Sequence, residues 1–586
     1  MAYDLLIKNG RVVDGSGEPA FSADVAVQDG RIVGVGKSNG AAAKRTIDAG
    51  GRVVAPGFID HHTHFDPQAV WDPYCGSWLH NGHTTVIVGQ CGQVIAPVRP
   101  GDAEWYLEFF SDAEQIPLPV LKAGVDVTWE SVGDYLNALG KKRGINVGTL
   151  IGHSGIRRYV MGEAASEREA KPEELAAMQR LIREAMVDGA LGFSTAPKDR
   201  GDPAGVPDDA ERWALASVLG ELGTGVFQVA GGSPGGTKAT RAVARELAAR
   251  TGRPSIYNLM SDPVGNPDEW VEHLKWLEDG FKSGARCYGS CLSTVAGAIF
   301  DLQRGLNVPQ DEDITNPEGI FRGMPTWDNV MARPYEERMR AFRDPAIRKA
   351  LSAEAVEGTV EQQGGMTDRR GRTRGLFNRR WDLVEVFMTT KGQNRHLEGK
   401  SVAQIAKEQG KSTIDAFLDL SLDEDLQTCF QAIDRNKDPK TQKHILGSAY
   451  TVIGTSDGGG RPHTADRHET STNLLAHWVR EQQVMTLEEA VYRLTGKTAL
   501  MHDITDRGFI AAGKIADITI FDPDTIASKP REPTATLPAG GIEVKRGAVG
   551  IDHVIVNGTV LIDNGVLTDA LPGQIVRGPL YQGPRA

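Results

Sequence analysis

The chain has 586 residues, of which 40% are hydrophobic and 24% charged, and its formal net charge at pH 7 is −12. That length exceeds one compact core of ordinary size and predicts a large catalytic domain with at least one smaller domain. The negative charge excludes non-specific nucleic-acid binding, which needs clustered cations. No apolar run approaches the roughly 18–20 residues that span a bilayer, so we expect no membrane partner.

The cysteines form an odd and sparse set without paired spacing: Cys75, Cys91, Cys287, Cys291 and Cys429. Such a set argues against a disulfide framework and is typical of a reducing compartment. The first residues of the sequence carry neither the basic region nor the apolar region of a secretory signal. We therefore expect a cytoplasmic protein.

The two ends of the chain share a pattern of short β-branched runs separated by turn dipeptides. Asn9-Gly10 and Asp29-Gly30 divide such runs near the amino terminus, and Asn557-Gly558 divides them near the carboxyl terminus. Dipeptides of this type between β-branched runs mark hairpins. We predict one small β-sandwich domain assembled from residues 1–56 and 505–586.

Between residues 57 and 504 the pattern changes to short apolar runs that alternate with helical segments. Repeated alternation of this kind favours a (β/α)8 barrel over a doubly wound sheet. The stretch from about 296 to 400 breaks the rhythm, and we predict that it forms a lid, a binding loop or a subdomain. The buried strands that we predict for the barrel include 84–89, 146–152, 189–194 and 225–229.

A histidine cluster, Asp60-His61-His62-Thr63-His64, directly follows an apolar strand. Side chains two residues apart on an extended segment point the same way, so His62 and His64 share one face and His61 takes the other. Two imidazoles side by side at a strand end suit a zinc-class divalent ion. The alternative is a chance cluster with packing or hydrogen-bonding roles.

The segment 56–64 resembles the signature of the amidohydrolase superfamily. Other segments resemble its N-acyl-D-amino-acid deacylase branch, and the similarity runs from about residue 4 to the carboxyl terminus. The resemblance implies a metal-dependent hydrolase that acts on a small-molecule amide, with a (β/α)8 barrel as its fold. We also expect a homo-oligomer. The segments that carry the resemblance to the deacylases are 82–86, 89–92, 152–157, 160–162, 189–195, 456–458, 506–508, 516–517, 521–523 and 571–577.

The resemblance also implies roles for individual residues. His62 and His64 would bind the metal, and Cys91 matches a cysteine that ligates metal in the deacylases, with a small buried cysteine as the alternative. Asp457 matches the family's final-strand aspartate, which can touch the metal and accept a proton from metal-bound water. His153 matches a histidine that faces the substrate and would polarise the carbonyl or orient the scissile group, with a structural histidine as the alternative.

One departure from the family concerns the fifth and sixth strands, where the deacylases place metal-binding histidines. The corresponding segments here carry Gln228 and Asn258, which are neutral oxygen donors and much poorer zinc ligands. We therefore predict one divalent ion, with Zn2+ as the expected metal, rather than a two-metal centre. Lys198 is interpreted as a solvated loop lysine, with a carboxylated bridging ligand as the alternative. His463 and His468 are predicted to contact substrate or form loop.

The predicted reaction is hydrolysis of a carboxamide C–N bond in a small N-acyl amino acid or a related amide. The metal lowers the pKa of a bound water and polarises the carbonyl, and Asp457 takes the water's proton and delivers it to the leaving nitrogen. A cyclic-amide hydrolase or a deaminase would use the same scaffold, and analogy of fold does not separate these enzymes. The remaining alternative is a non-catalytic relative that works by binding.

Overall fold

The structure is a computed structural model in which the chain divides into two compact units. The first unit comprises Met1–Ser261, Trp270–Thr294 and Pro439–Ala586, and the second comprises Asp262–Glu269 and Val295–Asp438. The residues that the structure describes are 2–38, 40–140, 142–196, 203–206, 208–230, 236–264, 268–303, 305–306, 321, 324–355, 366–367, 373–374, 379–462 and 469–583. Lys198, His463 and His468 lie outside them.

Both ends of the chain contribute to one nine-stranded sheet in the first unit. Val53–Pro56 pairs in parallel with Tyr3–Val12 and antiparallel with Ile518–Phe521, and so connects the strands from the two ends. The composite origin of this sheet agrees with the predicted pattern, whereas its arrangement as a two-layer sandwich stays a prediction. The strands are Tyr3–Val12, Phe21–Gln28, Arg31–Gly36, Ala43–Asp48, Val53–Pro56, Ile518–Phe521, Ile551–Val556, Thr559–Asp563 and Val566–Leu567.

The turn dipeptides of this sheet have two different structural roles. Asp29-Gly30 and Asn557-Gly558 each connect two antiparallel strands, as predicted. Asn9-Gly10 was expected to do the same, but it lies inside the strand Tyr3–Val12, where the pairing register shifts between Ile7 and Gly10. Asn9 does have the left-handed backbone conformation that such dipeptides favour, with a φ angle of 55°. It forms part of a β-bulge instead of a hairpin turn.

In the described part of the first unit, short parallel strands form a three-stranded and a six-stranded sheet, each paired in chain order. Counting the two short strands on either side of Leu150 as one strand gives eight. The third of them is interrupted at Leu150, and a parallel bridge between Thr63 and Gly458 joins the segments that follow the first and the last. We number them in chain order as the first to the eighth parallel strand. They are Phe58–Asp60, His83–Val88, Asn146–Thr149 with Ile151–Gly152, Gly192–Thr195, Val226–Val229, Ser255–Asn258, Cys287–Cys291 and Thr451–Ile453.

The parallel strands are buried almost throughout, and all four residues of Val226–Val229 are buried. Strands that are covered on both faces tend to be rich in apolar residues, which explains why the sequence predicted four of them. Their carboxyl ends carry the candidate site residues. The helices of this part of the chain are Gln68–Trp71, Ala103–Glu114, Leu118–Gly124, Val132–Leu139, His153–Met161, Pro172–Val187, Asp209–Leu222, Gly236–Thr251, Glu269–Lys282, Pro439–Gly447, Thr470–Asn473, Leu487–Leu494 and Gly496–Met501, with a π-helix at Leu474–Glu481.

The second unit has a hydrophobic core of its own, in which Trp327 stacks on Phe321 with ring centroids 4.1 Å apart. Its longer segment, Val295–Asp438, begins at the start of the predicted insertion and continues well beyond residue 400. No helix in the described ranges combines the length and the apolarity needed to cross a membrane. The described elements of this unit are the strands Ala296–Asp301, Gly305–Leu306, Met366–Thr367, Thr373–Arg374, Val384–Met388 and Cys429–Arg435, the helices Pro325–Met331, Tyr335–Arg343, Pro345–Glu354, Val402–Gln409 and Thr413–Asp423, and the 3-10 helix Gly392–Leu397.

Candidate metal centre

Three of the predicted metal ligands come together at the carboxyl ends of the first two parallel strands. One ligand atom from each of His62, His64 and Cys91 lies within 4.8 Å of the other two. The sulfur of Cys91 is 3.4 Å from Nε2 of His62, and the two histidine rings have centroids 5.3 Å apart. Both histidines are buried, whereas Cys91 is partly exposed. The group therefore forms a compact donor set of two imidazole nitrogens and one sulfur.

Asp457 places a carboxylate beside this donor set. Its Oδ1 lies 3.3 Å from Nε2 of His62, and its other oxygen accepts from the guanidinium of Arg461. Backbone hydrogen bonds fix this approach, because the amide N–H of Asp457 donates to the carbonyl of His62 and the N–H of His64 donates to the carbonyl of Gly458, over 3.3 and 2.6 Å. The segment that follows the eighth strand therefore places Asp457 next to the histidines.

The four side chains fit a zinc-class divalent ion. Such ions take imidazole nitrogen, thiolate sulfur and carboxylate oxygen in four-coordinate sites. Burial lowers the pKa of His62 below its usual value, with Asp457 opposing the shift, so the imidazole is neutral at pH 7. A neutral imidazole is the form that binds a metal.

The carboxylate of Asp60 stabilises the histidine segment through hydrogen bonds. Its carboxylate accepts from the amide N–H of His62 over 3.2 Å and from the indole N–H of Trp78 over 2.7 Å. It also accepts from the hydroxyl of Ser456, the residue before Asp457. One buried carboxylate therefore connects the segment after the first strand with the segment after the eighth.

Glu114, at the end of the helix Ala103–Glu114, lies next to the second histidine. Its Oε1 is 3.7 Å from Nδ1 of His64, and both side chains are buried. The backbone carbonyl of Glu114 also accepts from the N–H of Arg461 over 2.7 Å. Sequence reasoning missed Glu114 because it occupies an ordinary helical position far from any recognised motif.

The carboxamides of the fifth and sixth strands contact the donor set. The Oε1 atom of Gln228 accepts from the backbone N–H of Cys91 over 2.7 Å. The Nδ2 atom of Asn258 lies 3.1 Å from Nδ1 and 3.2 Å from Nε2 of His62. The two positions without histidine are therefore next to the metal ligands.

His153 follows the third parallel strand, and both of its ring nitrogens face protein groups. Nε2 is 2.9 Å from Oε1 of Glu211, and Nδ1 is 2.9 Å from Oγ1 of Thr195. Burial lowers the pKa of His153 to about 4, with Glu211 opposing the shift. The neutral ring donates from Nε2 to the carboxylate and accepts the hydroxyl hydrogen of Thr195 at Nδ1. These contacts favour the structural alternative, and contact between His153 and substrate stays a prediction.

Glu211 also pairs with a buried arginine. The guanidinium of Arg157, which is 0% exposed, donates to both carboxylate oxygens of Glu211 over 2.6 Å. Burial raises the pKa of Glu211, but the hydrogen bond from His153 and the ion pair with Arg157 outweigh it and lower that pKa to about 2. Sequence reasoning missed this pair, since its members lie 54 positions apart.

Glu211→Gln is expected to lower the free energy of unfolding at pH 7 by about 3 kcal/mol, because it leaves the Arg157 guanidinium buried without its counter-charge. The folded pKa of about 2 lies below the ordinary value of 4.5, so the contribution of Glu211 is complete above pH 4.5. It declines as the pH falls towards 2. Denaturant titrations from pH 7 to pH 3 measure both effects, and Glu221→Gln at an exposed position of the same helix is the control. An equal loss at pH 7 and pH 3 would contradict the ionic cause.

The sequence of the chain is similar to those of known amidohydrolases. A family model described as Amidohydrolase family matches residues 45–282 and 380–562. D-aminoacylase of Alcaligenes xylosoxydans xylosoxydans is 28% identical over 98% of this chain and 97% of its own length. N-acyl-D-glutamate deacylase of the same organism is also 28% identical, over 98% of this chain and 96% of its own length.

Solved structures show the same fold. A D-aminoacylase structure, described for its binuclear metal centre, has a TM-score of 0.64 at 24% identity and covers 98% of this chain and 99% of its own. N-acyl-D-glutamate deacylase from Bordetella bronchiseptica, solved with zinc and a phosphonate inhibitor, has a TM-score of 0.62 at 24% identity, with 98% and 100% covered.

The chain belongs to the amidohydrolase family and is similar to its D-aminoacylases, which confirms the resemblance found in the sequence. It is a hydrolase that acts on carbon–nitrogen bonds other than peptide bonds.

Proposed function

We propose that the protein cleaves the carboxamide C–N bond of a small N-acyl amino acid or a related amide, with the eight parallel strands closed into a (β/α)8 barrel. The observation that carries the proposal is the cluster of His62, His64 and Cys91 ligand atoms within 4.8 Å of one another. The relatives support the substrate class, because two of them are named D-aminoacylase and N-acyl-D-glutamate deacylase.

His62, His64, Cys91 and Asp457 would hold one divalent ion, with Zn2+ as the expected metal. A second tight site would need further good ligands beside Cys91. Gln228 and Asn258 stand there instead, within 2.7 Å of the Cys91 backbone nitrogen and 3.1 Å of the His62 ring. Neutral carboxamides are weak zinc ligands, so the geometry favours one ion over two.

Asp457 is the proposed proton carrier. A bound divalent ion would lower the pKa of water towards neutrality and polarise a carbonyl group. The carboxylate of Asp457, 3.3 Å from His62, would accept the proton of the attacking water and deliver it to the leaving nitrogen. Arg461 holds the second carboxylate oxygen and so fixes the orientation of the group that moves the proton.

A panel of N-acyl-D- and N-acyl-L-amino acids, small aryl amides, cyclic amides and aminopurines tests the proposed reaction. The zinc-loaded protein is expected to release an amine and a free carboxylic acid in equal amounts from at least one N-acyl amino acid. Chromatography of the products separates the alternatives: ring opening without a leaving group identifies a cyclic-amide hydrolase, and ammonia identifies a deaminase. Zinc-loaded protein that binds these compounds and turns none of them over would favour the non-catalytic relative.

A further inference from the structure

Cys91 lies in a turn and has an unfavourable backbone conformation. The turn follows the second parallel strand, and the φ angle of Cys91 is 57°, in the left-handed region that residues with a Cβ rarely occupy. Residues in such conformations persist where their surroundings hold them, and they cluster at functional sites. The contacts that hold this turn therefore determine where the thiol points.

Two side chains from neighbouring strands hold the turn. Ser194 accepts from the N–H of Gly92 over 2.9 Å and donates to the carbonyl of Gly89 over 2.6 Å. Gln228 accepts from the N–H of Cys91 over 2.7 Å. Ser194 and Gln228 are register partners on the fourth and fifth parallel strands, so their side chains lie side by side on the same face. Hydrogen bonds from side chains of the parallel sheet therefore fix the conformation of the turn.

Gln228 contacts two atoms of Cys91, the backbone nitrogen and the sulfur. While its oxygen accepts the backbone N–H, its Nε2 lies 4.0 Å from the Cys91 sulfur and donates towards it. The Gln228 side chain is only 1% exposed, so water does not compete for these contacts. A carboxamide that is bound at both ends in this way has one orientation, and the sulfur that it contacts lies 3.4 Å from Nε2 of His62.

We infer that Gln228 is a positioning residue that clamps Cys91 in the geometry required of a metal ligand. The inference rests on the proposed function, in which Cys91 binds the ion. Gln228 acts through Cys91 because its oxygen already accepts the Cys91 N–H and its amide nitrogen offers no lone pair to a cation. Partners that orient a metal ligand commonly change metal affinity by about 10–100-fold when they are replaced.

Cobalt-substituted protein tests the clamp, because a thiolate bound to Co2+ gives a charge-transfer absorption band in the near ultraviolet. Gln228→Met keeps the side-chain length and removes both hydrogen bonds. We expect it to weaken cobalt binding by about 10–100-fold, as measured by chelator competition, and to reduce the band at saturating cobalt. Gln404→Met, at an exposed helical position of the second unit, should leave both unchanged.

Gln228→Glu is the second variant and serves if Gln228→Met does not fold. It keeps the acceptor for the Cys91 N–H, so we expect it to keep the band while cobalt affinity changes by less than in Gln228→Met. A full band and wild-type affinity in Gln228→Met would overturn the inference alone, as would loss of the band in Gln228→Glu. Wild-type protein that binds cobalt without the band would instead show that Cys91 is no ligand, which overturns the proposed ligand set and this inference with it.

Discussion

Replacing His62 and His64 together by asparagine is expected to give a folded protein that holds no stoichiometric metal and hydrolyses no N-acyl amino acid. The two imidazoles are the strong nitrogen donors of the site, with centroids 5.3 Å apart. Asparagine keeps a polar side chain there but offers zinc only a weak neutral oxygen. Elemental analysis of protein purified without added ions should find about one divalent ion per wild-type chain, as in a single catalytic site, and none in the double variant.

The matched control replaces two histidines outside the site. His396 and His477 are partly or wholly exposed, and asparagine at both positions should leave metal content and turnover at the wild-type level. Two ions per wild-type chain would contradict the single-ion proposal. A full equivalent of metal in the His62→Asn/His64→Asn variant would place the ion elsewhere. Circular dichroism of the double variant distinguishes loss of the metal from loss of the fold.

Local spacing in the sequence is enough to predict the two histidines of this site. His62 and His64 are two residues apart after an apolar strand, so the alternation of an extended chain alone predicts a shared face. Asp457 and Cys91 were predicted as ligands only from the resemblance to the deacylases. In the structure, Oδ1 of Asp457 and the sulfur of Cys91 lie 3.3 and 3.4 Å from Nε2 of His62. Their grouping agrees with the prediction, while their roles as ligands stay proposals.

The supporting contacts could not be predicted, because they join distant parts of the chain. Gln228 and Asn258 lie 137 and 196 positions from the ligands that they contact. The sequence identified both as departures from the family, yet no local pattern says that a carboxamide on one strand meets the backbone of a turn on another. Glu211 is a stronger example, since it is an ordinary glutamate of a helix until the fold places it against His153.

The limits of the fold prediction have a similar origin. Short apolar runs predicted four of the buried parallel strands, at 84–89, 146–152, 189–194 and 225–229, because both faces of these strands are covered. The second unit extends almost forty residues beyond the predicted insertion, and its last elements are two helices and a strand, Val402–Gln409, Thr413–Asp423 and Cys429–Arg435. Their local periodicity is the same as that of the helices and strands of the first unit. Local periodicity identifies elements, but their partners are set by tertiary contacts that the periodicity does not contain.

Asp457→Asn is expected to keep the fold and much of the metal while lowering kcat by roughly 10²–10⁴-fold, the usual contribution of a positioned general acid–base group. An amide oxygen can still face His62, but it cannot accept and return a proton at neutral pH. Turnover of the preferred N-acyl amino acid by zinc-loaded protein, with zinc measured on the same sample, is the test. Asp569→Asn, at an exposed position, is the control for the amide substitution.

Asp457→Asn removes both the ion pair with Arg461 and the group that transfers the proton. A second variant is therefore needed to distinguish their effects on kcat. Arg461→Gln removes the ion pair and leaves the carboxylate, so we expect it to keep much more activity than Asp457→Asn. Equal losses in the two variants would mean that orientation by Arg461, and not proton transfer, accounts for the effect of Asp457→Asn. Near-normal kcat in Asp457→Asn would move the proton carrier to another group, and Glu114, whose carboxylate lies 3.7 Å from His64, is the carboxylate to replace next.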